Sequence, residues 1–340
     1  MTVGRALRRA VPYEIVATGT VEPRQTVAVQ SQVTGVLSAI DFAEGADVAA
    51  GQVLFEIDPR PFQAALDAAQ ATLARDRAEA ESASRDAVRW AELVKSDYVT
   101  QSDADGKRAA ADAADATVRA DSAALLTAQL NLGWATIRAP ISGRTGRLLL
   151  RQGNLVRANT DQLVVINQIH PILVQFAVPE QQLPLIQRHR TADLPILASP
   201  SKDDTVFSEG ALTFLDNTVD TTTGTVLLKG EFSNRDNGLW PGEFLNVRLR
   251  LFVEDSALVV PAQAVMTGQQ GTYVFVVNPD GTARAQPVSV ERTAGPYAIV
   301  ATGVRDGDNI VTDGQSRLVS GAQVEIKGGE TSAGGTAGDK

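Results

Sequence analysis

The sequence predicts a mainly β chain interrupted by one long α-helical hairpin, and three observations predict it. No proline falls between Pro61 and Pro140, and Gly106 and Gly133 are the only glycines in that Ala-, Asp-, Glu-, Arg- and Gln-rich window. Apart from Asp, those residues favour helix, whereas Gly and Pro oppose it. The stretches before and after the window share one order of apolar runs and glycines. Beyond them the pattern changes to alternating apolar and polar residues, the period of half-buried strands.

The helical window carries a heptad stripe on each arm. Steps of four and three place Phe62, Leu66, Ala69, Leu73, Asp76, Ala80, Ala83, Ala87, Trp90 and Val94 on one face, and only Asp76 among them is polar. Counting back from Leu132 gives Ala128, Leu125, Asp121, Val118, Ala114, Ala111, Lys107 and Ala104, with Asp121 and Lys107 as the exceptions. Such a stripe predicts an antiparallel coiled-coil hairpin over residues 59–132, with Phe62, Leu66, Leu73, Trp90, Val118, Leu125 and Leu132 in its seam. Each arm would be roughly 45–55 Å long at 1.5 Å per residue. Between the stripes, Thr100 with Asp103, or Ser102 with Asp105, has capping-box spacing and would start the second helix. The Ala-rich seam buries little area, at about 0.8 kcal/mol per CH₂, so the rod leans on its base or on neighbours. Gly106, inside the second arm, costs about 1 kcal/mol relative to Ala.

The flanks of the hairpin read as two halves of one small β unit. Gly35 is followed ten residues later by Gly45 and then by Val48; Gly143 is followed ten residues later by Gly153 and then by Val156. Gly35, Gly45, Gly143 and Gly153 are expected to mark the turns, and the hairpin is expected to be an insertion between the halves. From Ile169 to Phe252, period-2 runs such as Leu173–Val178 and Phe244–Leu251 predict an antiparallel barrel or sandwich, with a short helix over Pro179–Arg188. Ala257–Ile326 is also β, with Asn278-Pro-Asp-Gly281 as a hairpin turn. The Gly-rich tail from Gly328 to Lys340 is expected to be disordered.

Composition excludes several functions. The 340 residues suit two or three domains, and 44% hydrophobic with 21% charged residues is globular composition. A net charge of −9 argues against nucleic acid. Cysteine is absent, which removes disulfides, thiolate metal sites and Cys nucleophiles. Two His and two Met supply metal chemistry poorly. No apolar run is long enough for a transmembrane helix. Arg5, Arg8 and Arg9 are followed by a strand-like stretch with Pro12, not by the apolar region of a signal peptide, so neither signal nor anchor is expected within this sequence.

The sequence offers no candidate catalytic, cofactor-binding or metal-binding residues. Ser199-Pro200-Ser201-Lys202 has SxxK spacing but reads as a Pro-broken loop, where no helix can hold that Lys over that Ser. Asp203 and Asp204 read as a solvated turn, and His170 and His189 lack the companions of a metal site. Two Gly-punctuated halves are the pattern of lipoyl and biotinyl carrier domains. A carrier needs a lysine on the turn between the halves, and none lies between Asp41 and Leu93. No cofactor is expected and the chain does not read as an enzyme.

The helix entry Phe55-Glu-Ile-Asp58-Pro59-Arg-Pro61-Phe62 and the return Ala135-Thr-Ile-Arg-Ala-Pro140-Ile-Ser-Gly143 resemble the periplasmic adaptor subunits, or membrane fusion proteins, of resistance-nodulation-division multidrug pumps. Leu239-Trp-Pro-Gly242-Glu-Phe, Val259-Val-Pro261-Ala and Asp306-Gly307-Asp-Asn-Ile continue the resemblance in family order over about residues 12–326. It implies four units in a line: the hairpin (59–132), a lipoyl-like domain (26–58 with 133–167), a β-barrel (13–25 with 168–252) and a membrane-proximal β domain (1–12 with 253–327). It further implies an inner-membrane, proton-driven transporter and a TolC-like outer-membrane channel as partners, and a self-associated ring, commonly a hexamer, in the periplasm at the inner membrane of a Gram-negative bacterium. The family's tip motif (Arg, three residues, Leu, six residues, Ser) falls on Arg89, Leu93 and Thr100, with Thr in place of Ser. An adaptor of an ATP-driven (ABC-type) exporter is the alternative within the family. A heavy-metal adaptor is disfavoured by the lack of soft ligands, and a cytoplasmic coiled-coil scaffold is the alternative outside it.

Overall fold

A computed structural model of the chain describes residues 1–190, 194–200, 208–269, 271–315 and 318–325, in which strand is the commonest element. Lys202, Asp203, Asp204 and the tail 328–340 lie outside the described residues. The chain divides into two compact units, one made of Val21–Leu173 with Phe232–Glu243, the other of Met1–Thr20, Val174–Glu231 and Phe244–Lys340.

The first unit holds two long helices, α1 (Arg60–Lys95) and α2 (Gln101–Trp134), which pack along one another. They run antiparallel: Trp90 lies beside Lys107, and Asp76 beside Asp121 further from the link. α1 starts where two prolines meet the backbone's needs. Pro59 offers no side-chain cap, and Asp58 supplies one instead, its Oδ1 accepting from the Arg60 N–H at 3.1 Å. Pro61 sits in the first turn, where its missing N–H has no partner to lose. Of the two capping spacings before α2, Thr100 with Asp103 is the one that forms: the Asp103 N–H donates to Thr100 Oγ1 at 3.2 Å. Gly106 and Gly133 lie in α2 with open space around them.

Flanking the helices, the strands Gly35–Ile40, Asp47–Val48 and Val53–Ile57 come before and Thr136–Arg138, Gly143–Thr145 and Leu155–Val156 after. The two groups pair with each other. Gly35 is the partner of Val156, and Gly143 is the partner of Val48. The backbone bonds repeat in the same reciprocal way: Gly51 N–H donates to Ala139 O at 2.8 Å and Asn159 N–H to Ser31 O at 2.8 Å, while Leu37 N–H donates to Asn154 O and Thr145 N–H to Ala46 O, both at 2.9 Å. Gly35 to Gly143, Val48 to Val156 and Gly51 to Asn159 span one constant interval of chain. Leu37, Leu54, Phe55, Ile57, Val156 and Leu163 form the core between the halves.

Two of the four expected glycine turns are not turns. Gly45 and Gly153 have φ of +74° and +89° at turns, where a side chain would be strained. Gly35 and Gly143 instead open strands. A Cβ at Gly35 would collide with the Ile57 Cγ2 methyl, and one at Gly143 with the Asn167 carbonyl. Glycine is needed there for close approach of chain to chain.

In the second unit, Phe244–Pro261 is the central strand. It pairs antiparallel with Leu7–Thr20, from Thr20↔Phe244 to Leu7↔Val259, and with Pro195–Pro200. Ser199 and Pro200 thus belong to a strand, not to the loop expected from the sequence; Leu194, Ile196 and Ala198 alternate into the core, and that period outweighs the proline at the strand's end. The helix α3 (Leu183–His189) follows a short 3₁₀ turn, Glu180–Gln182. The last strand, Asn309–Asp313, pairs with Thr2–Arg5 and with Gly271–Val277. Gly271–Val277 returns through a tight turn at Asn278–Gly281 to Ala283–Pro287, with Gly281 at φ +80°. No helix among the described residues is long and apolar enough to cross a membrane.

Candidate functional site

The end of the helical pair distal to the β halves is built by five linking residues, 96–100. The Leu93 carbonyl accepts from the N–H groups of Ser96 (3.2 Å) and Tyr98 (3.1 Å), and Asp97 takes φ +54°, so the chain reverses within a turn of α1. Tyr98 is left 78% exposed at the apex.

Arg89, Leu93 and Thr100 come to this end of the pair. Arg89 is exposed and makes one ion pair, to Asp86 at 3.3 Å. That is an exposed i,i+3 contact, worth only about 0.3–0.5 kcal/mol, so its guanidinium is readily redirected to another acceptor. Leu93 is half-buried, with one face free. The Thr100 hydroxyl is engaged twice, donating to Asp103 Oδ2 at 2.7 Å while accepting from the Asp103 N–H. The hydroxyl proton of Thr100 is thus committed to Asp103, which leaves its methyl and one oxygen lone pair for outside contact.

Along the seam, Leu66 and Leu73 are buried, and Phe62, Trp90, Val118, Leu125 and Leu132 are half-buried. The two polar interruptions of the α2 stripe have different partners. Lys107 lays its ammonium over the Trp90 ring, 5.7 Å from the centroid. Asp121 meets Asp76 of α1, whose two oxygens already accept from Arg75 at 2.6 and 3.1 Å. The Arg75 hydrogen bond, followed by that of Asp121, holds the Asp76 carboxyl below the usual carboxylate range. The hydrogen bond to Asp76, together with burial, pushes Asp121 up.

Two features lie outside the expectations drawn from the sequence. On α2, Leu126, Leu130 and Trp134 form an exposed apolar stripe at i, i+4 and i+8, which Leu-x₃-Leu-x₃-Trp spells openly. Asn234 opens Asn-Arg-Asp-Asn-Gly238, a segment of turn composition, yet it is buried, with φ +51°. Its Nδ2 donates to the carbonyls of Ile169 and Leu239, both at 3.1 Å, and its Oδ1 accepts from the Leu239 N–H at 2.9 Å. That clamp buries Leu239 and presents the next residue, Trp240, half exposed beneath the guanidinium of Arg144, 5.2 Å from its ring centroid.

Neither histidine enters a site. His170 is exposed at the cis His170–Pro171 bond, and His189 stacks on Phe252 with centroids 4.5 Å apart. Among the described residues, no group of three acidic or histidine side chains is placed to hold a metal ion. A groove of about 640 Å³ in the second unit is lined by Arg9, Arg292 and Tyr297 among others, but Arg9 stacks on Tyr297 and Arg292 pairs with Glu254 at 2.9 Å.

Comparison with known proteins gives three consecutive family matches. Residues 25–168 match the barrel-sandwich hybrid domain of RND MFPs, residues 171–253 the β-barrel domain of RND MFPs, and residues 257–326 the C-terminal permuted SH3-like domain of YknX. The chain is 38% identical to the multidrug resistance protein MdtA of Erwinia amylovora over 94% of its own length and 80% of that protein. It is 37% identical to MdtA of Escherichia coli O7:K1 over 94% of its length and 78% of that protein. In fold it is similar to MacA from Actinobacillus actinomycetemcomitans, with a TM-score of 0.62 at 19% identity over 91% of this chain and 98% of that one. A MacA–MexA chimera carrying the Pseudomonas aeruginosa MexA α-hairpin domain aligns with a TM-score of 0.59 at 21% identity, over 89% of this chain and 98% of that one.

Proposed function

The chain belongs to the membrane fusion proteins of resistance-nodulation-division (RND) transporters, and from that premise we propose how its parts work in drug efflux. It is a multidrug efflux adaptor and not an enzyme. The single observation that carries this is the 38% identity to multidrug resistance proteins over nearly the whole chain, joined to two RND family matches. Those relatives do not favour the ATP-driven alternative.

The adaptor works at the periplasmic side of the inner membrane, between an RND transporter and an outer-membrane channel. In the finer reading, residues 59–132 are a coiled-coil hairpin, 26–58 with 133–167 a lipoyl-like domain, 13–25 with 168–252 a β-barrel, and 1–12 with 253–327 a membrane-proximal domain. The hairpin tip meets a TolC-like channel: Leu93 enters a groove between channel helices, Arg89 donates to carbonyls or carboxylates there, and Thr100 holds the start of α2. Six copies form the ring. What supports the tip assignment is the loosely held Arg89 beside a half-exposed Leu93 at the one end of the helical pair that has no β structure.

The test is affinity purification of the tagged full-length protein from detergent-solubilised membranes of its native host, with mass spectrometry of co-purifying proteins. The expected result is one RND transporter and one outer-membrane channel. Recovery of an ATP-binding exporter in their place overturns the transporter class, and recovery of neither, with the protein in the cytosol, overturns the localisation.

A further inference from the structure

We propose that Asp76 and Asp121 hold one proton between them in the seam of α1 and α2, which makes the middle of the helical pair tighter in mild acid than at neutral pH. The geometry points to it. Both residues lie on heptad stripes in which Lys107 is the one other polar side chain, and their carboxyls meet from opposite helices. Asp76 is 8% exposed and both of its oxygens accept from Arg75. Asp121 Oδ2 is buried and receives no donor from the protein.

A buried carboxylate oxygen without a donor is unfavourable. A proton on Asp121 removes the difficulty, because the O–H then donates to the Asp76 carboxylate. Arg75 decides which partner carries the proton: it keeps Asp76 ionised and leaves Asp121 neutral. The charged groups acting at this level are Arg75 and Asp76 on α1, Asp121 on α2, and Glu79, which acts through Arg75. No histidine lies on either helix.

The pH dependence follows from the two directions. Asp121 is raised in the folded chain, so its contribution is present below the ordinary carboxylate value and lost as pH climbs through the raised one. Asp76 is lowered, so its contribution is present above the ordinary value and lost only as pH falls through the lowered one. Between the two values the pair holds a single proton and the seam is tightest. Above the upper one, two carboxylates face each other and the pair loosens. This device stands whether or not the distal end of the helices meets a channel.

The test is hydrogen–deuterium exchange of the full chain, read on peptides spanning Asp76 and Asp121, for wild type and Asp121→Asn across about pH 4 to 8, a range that brackets a raised carboxylate. Comparing the two proteins at each pH cancels the intrinsic pH dependence of exchange. The Asn amide donates to Asp76 at every pH, so the proteins should exchange alike in mild acid, and wild type should exchange severalfold faster at the neutral end. A constant ratio of the two across the range overturns the proposal. Asp76→Asn supplies a second reading that does not depend on the first variant folding. It removes the carboxylate that raises Asp121, so exchange of its seam peptides, referred to a peptide from the buried strand Gly271–Val277, should lose the pH dependence that wild type shows, and persistence of that dependence overturns the proposal as well.

Discussion

Gly35 and Ile57 interlock: the space a side chain at Gly35 would need is filled by the Cγ2 methyl of Ile57, itself 1% exposed in the core between the two β halves. Gly35→Ala should therefore overpack the core and destabilise the unit by about 1–3 kcal/mol. Differential scanning calorimetry should show the transition of that unit shifted down by about 2–4 °C per kcal/mol. Ile57→Ala in the same chain should recover part of the loss, giving strong non-additivity in a double-mutant cycle. An additive pair would show that the clash is absorbed elsewhere.

Leu73 is 3% exposed in the seam, between an Ala69 layer on one side and the Asp76–Asp121 layer on the other. Leu73→Ala leaves a cavity that a thin helical pair cannot fill from a second layer, and the expected loss is about 2–4 kcal/mol. Melting followed at 222 nm should show the helical signal lost at lower temperature, while β-sheet signal persists. An unchanged helical transition would mean that the seam does not hold the pair together.

The two long helices are legible in the sequence because a heptad period runs through a window free of proline. Period alone cannot say why Lys107 is tolerated on that stripe; the answer is Trp90, on the other helix and seventeen positions earlier in the chain. The glycines show the same boundary. Gly45 and Gly153 are turn glycines, a local property that sequence conveys. Gly35 and Gly143 are glycines because Ile57 and the Asn167 backbone approach them, which is information held in the pairing of distant segments. Asn234 escapes the sequence for a related reason: Asn-Arg-Asp-Asn-Gly has the composition of a solvated turn, and only burial reveals its three hydrogen bonds.

Asn234→Ala removes one acceptor and two donations and leaves the Ile169 and Leu239 carbonyls and the Leu239 N–H without side-chain partners. Each buried group left unsatisfied costs about 1–3 kcal/mol, and alanine also resists the positive φ. The expected destabilisation is about 3 kcal/mol or more, with Trp240 fluorescence moving toward that of a solvated indole. Asn234→Gly restores the backbone freedom but not the bonds, so it should be only slightly milder. If the two variants melt together with wild type, the clamp contributes nothing.

Asp58 titrates at about 2, held down first by its side-chain bond to Arg60 and then by the Arg60 N–H. A lowered carboxylate contributes stability above the ordinary value of 3.8 and loses it as pH falls toward 2. The start of α1 should therefore keep its cap through mild acid and fray only in strong acid. Carboxyl-detected NMR on Arg60→Ala should find Asp58 titrating closer to the ordinary value. An Asp58 that titrates normally in wild type would remove the cap from the account of helix entry.

Leu93 separates folding from docking more cleanly than its neighbours do. Thr100 caps α2, so replacing it perturbs the helix as well as any contact, and Arg89 is held only by an exposed ion pair to Asp86. Leu93 is half-buried beside a turn whose bonds use its carbonyl, not its side chain. Leu93→Asp should leave helicity close to wild type and lower the melting temperature only modestly, because a carboxylate in the last turn of a helix costs about 0.3–1 kcal/mol and the side chain lost is only half-buried. It should nonetheless abolish drug resistance when the full-length gene is returned to a strain lacking it, since a carboxylate cannot enter an apolar groove without losing its water. Arg89→Ala should weaken resistance less, through lost hydrogen bonds alone. Full resistance from Leu93→Asp, at normal protein levels, would move the channel contact away from this tip.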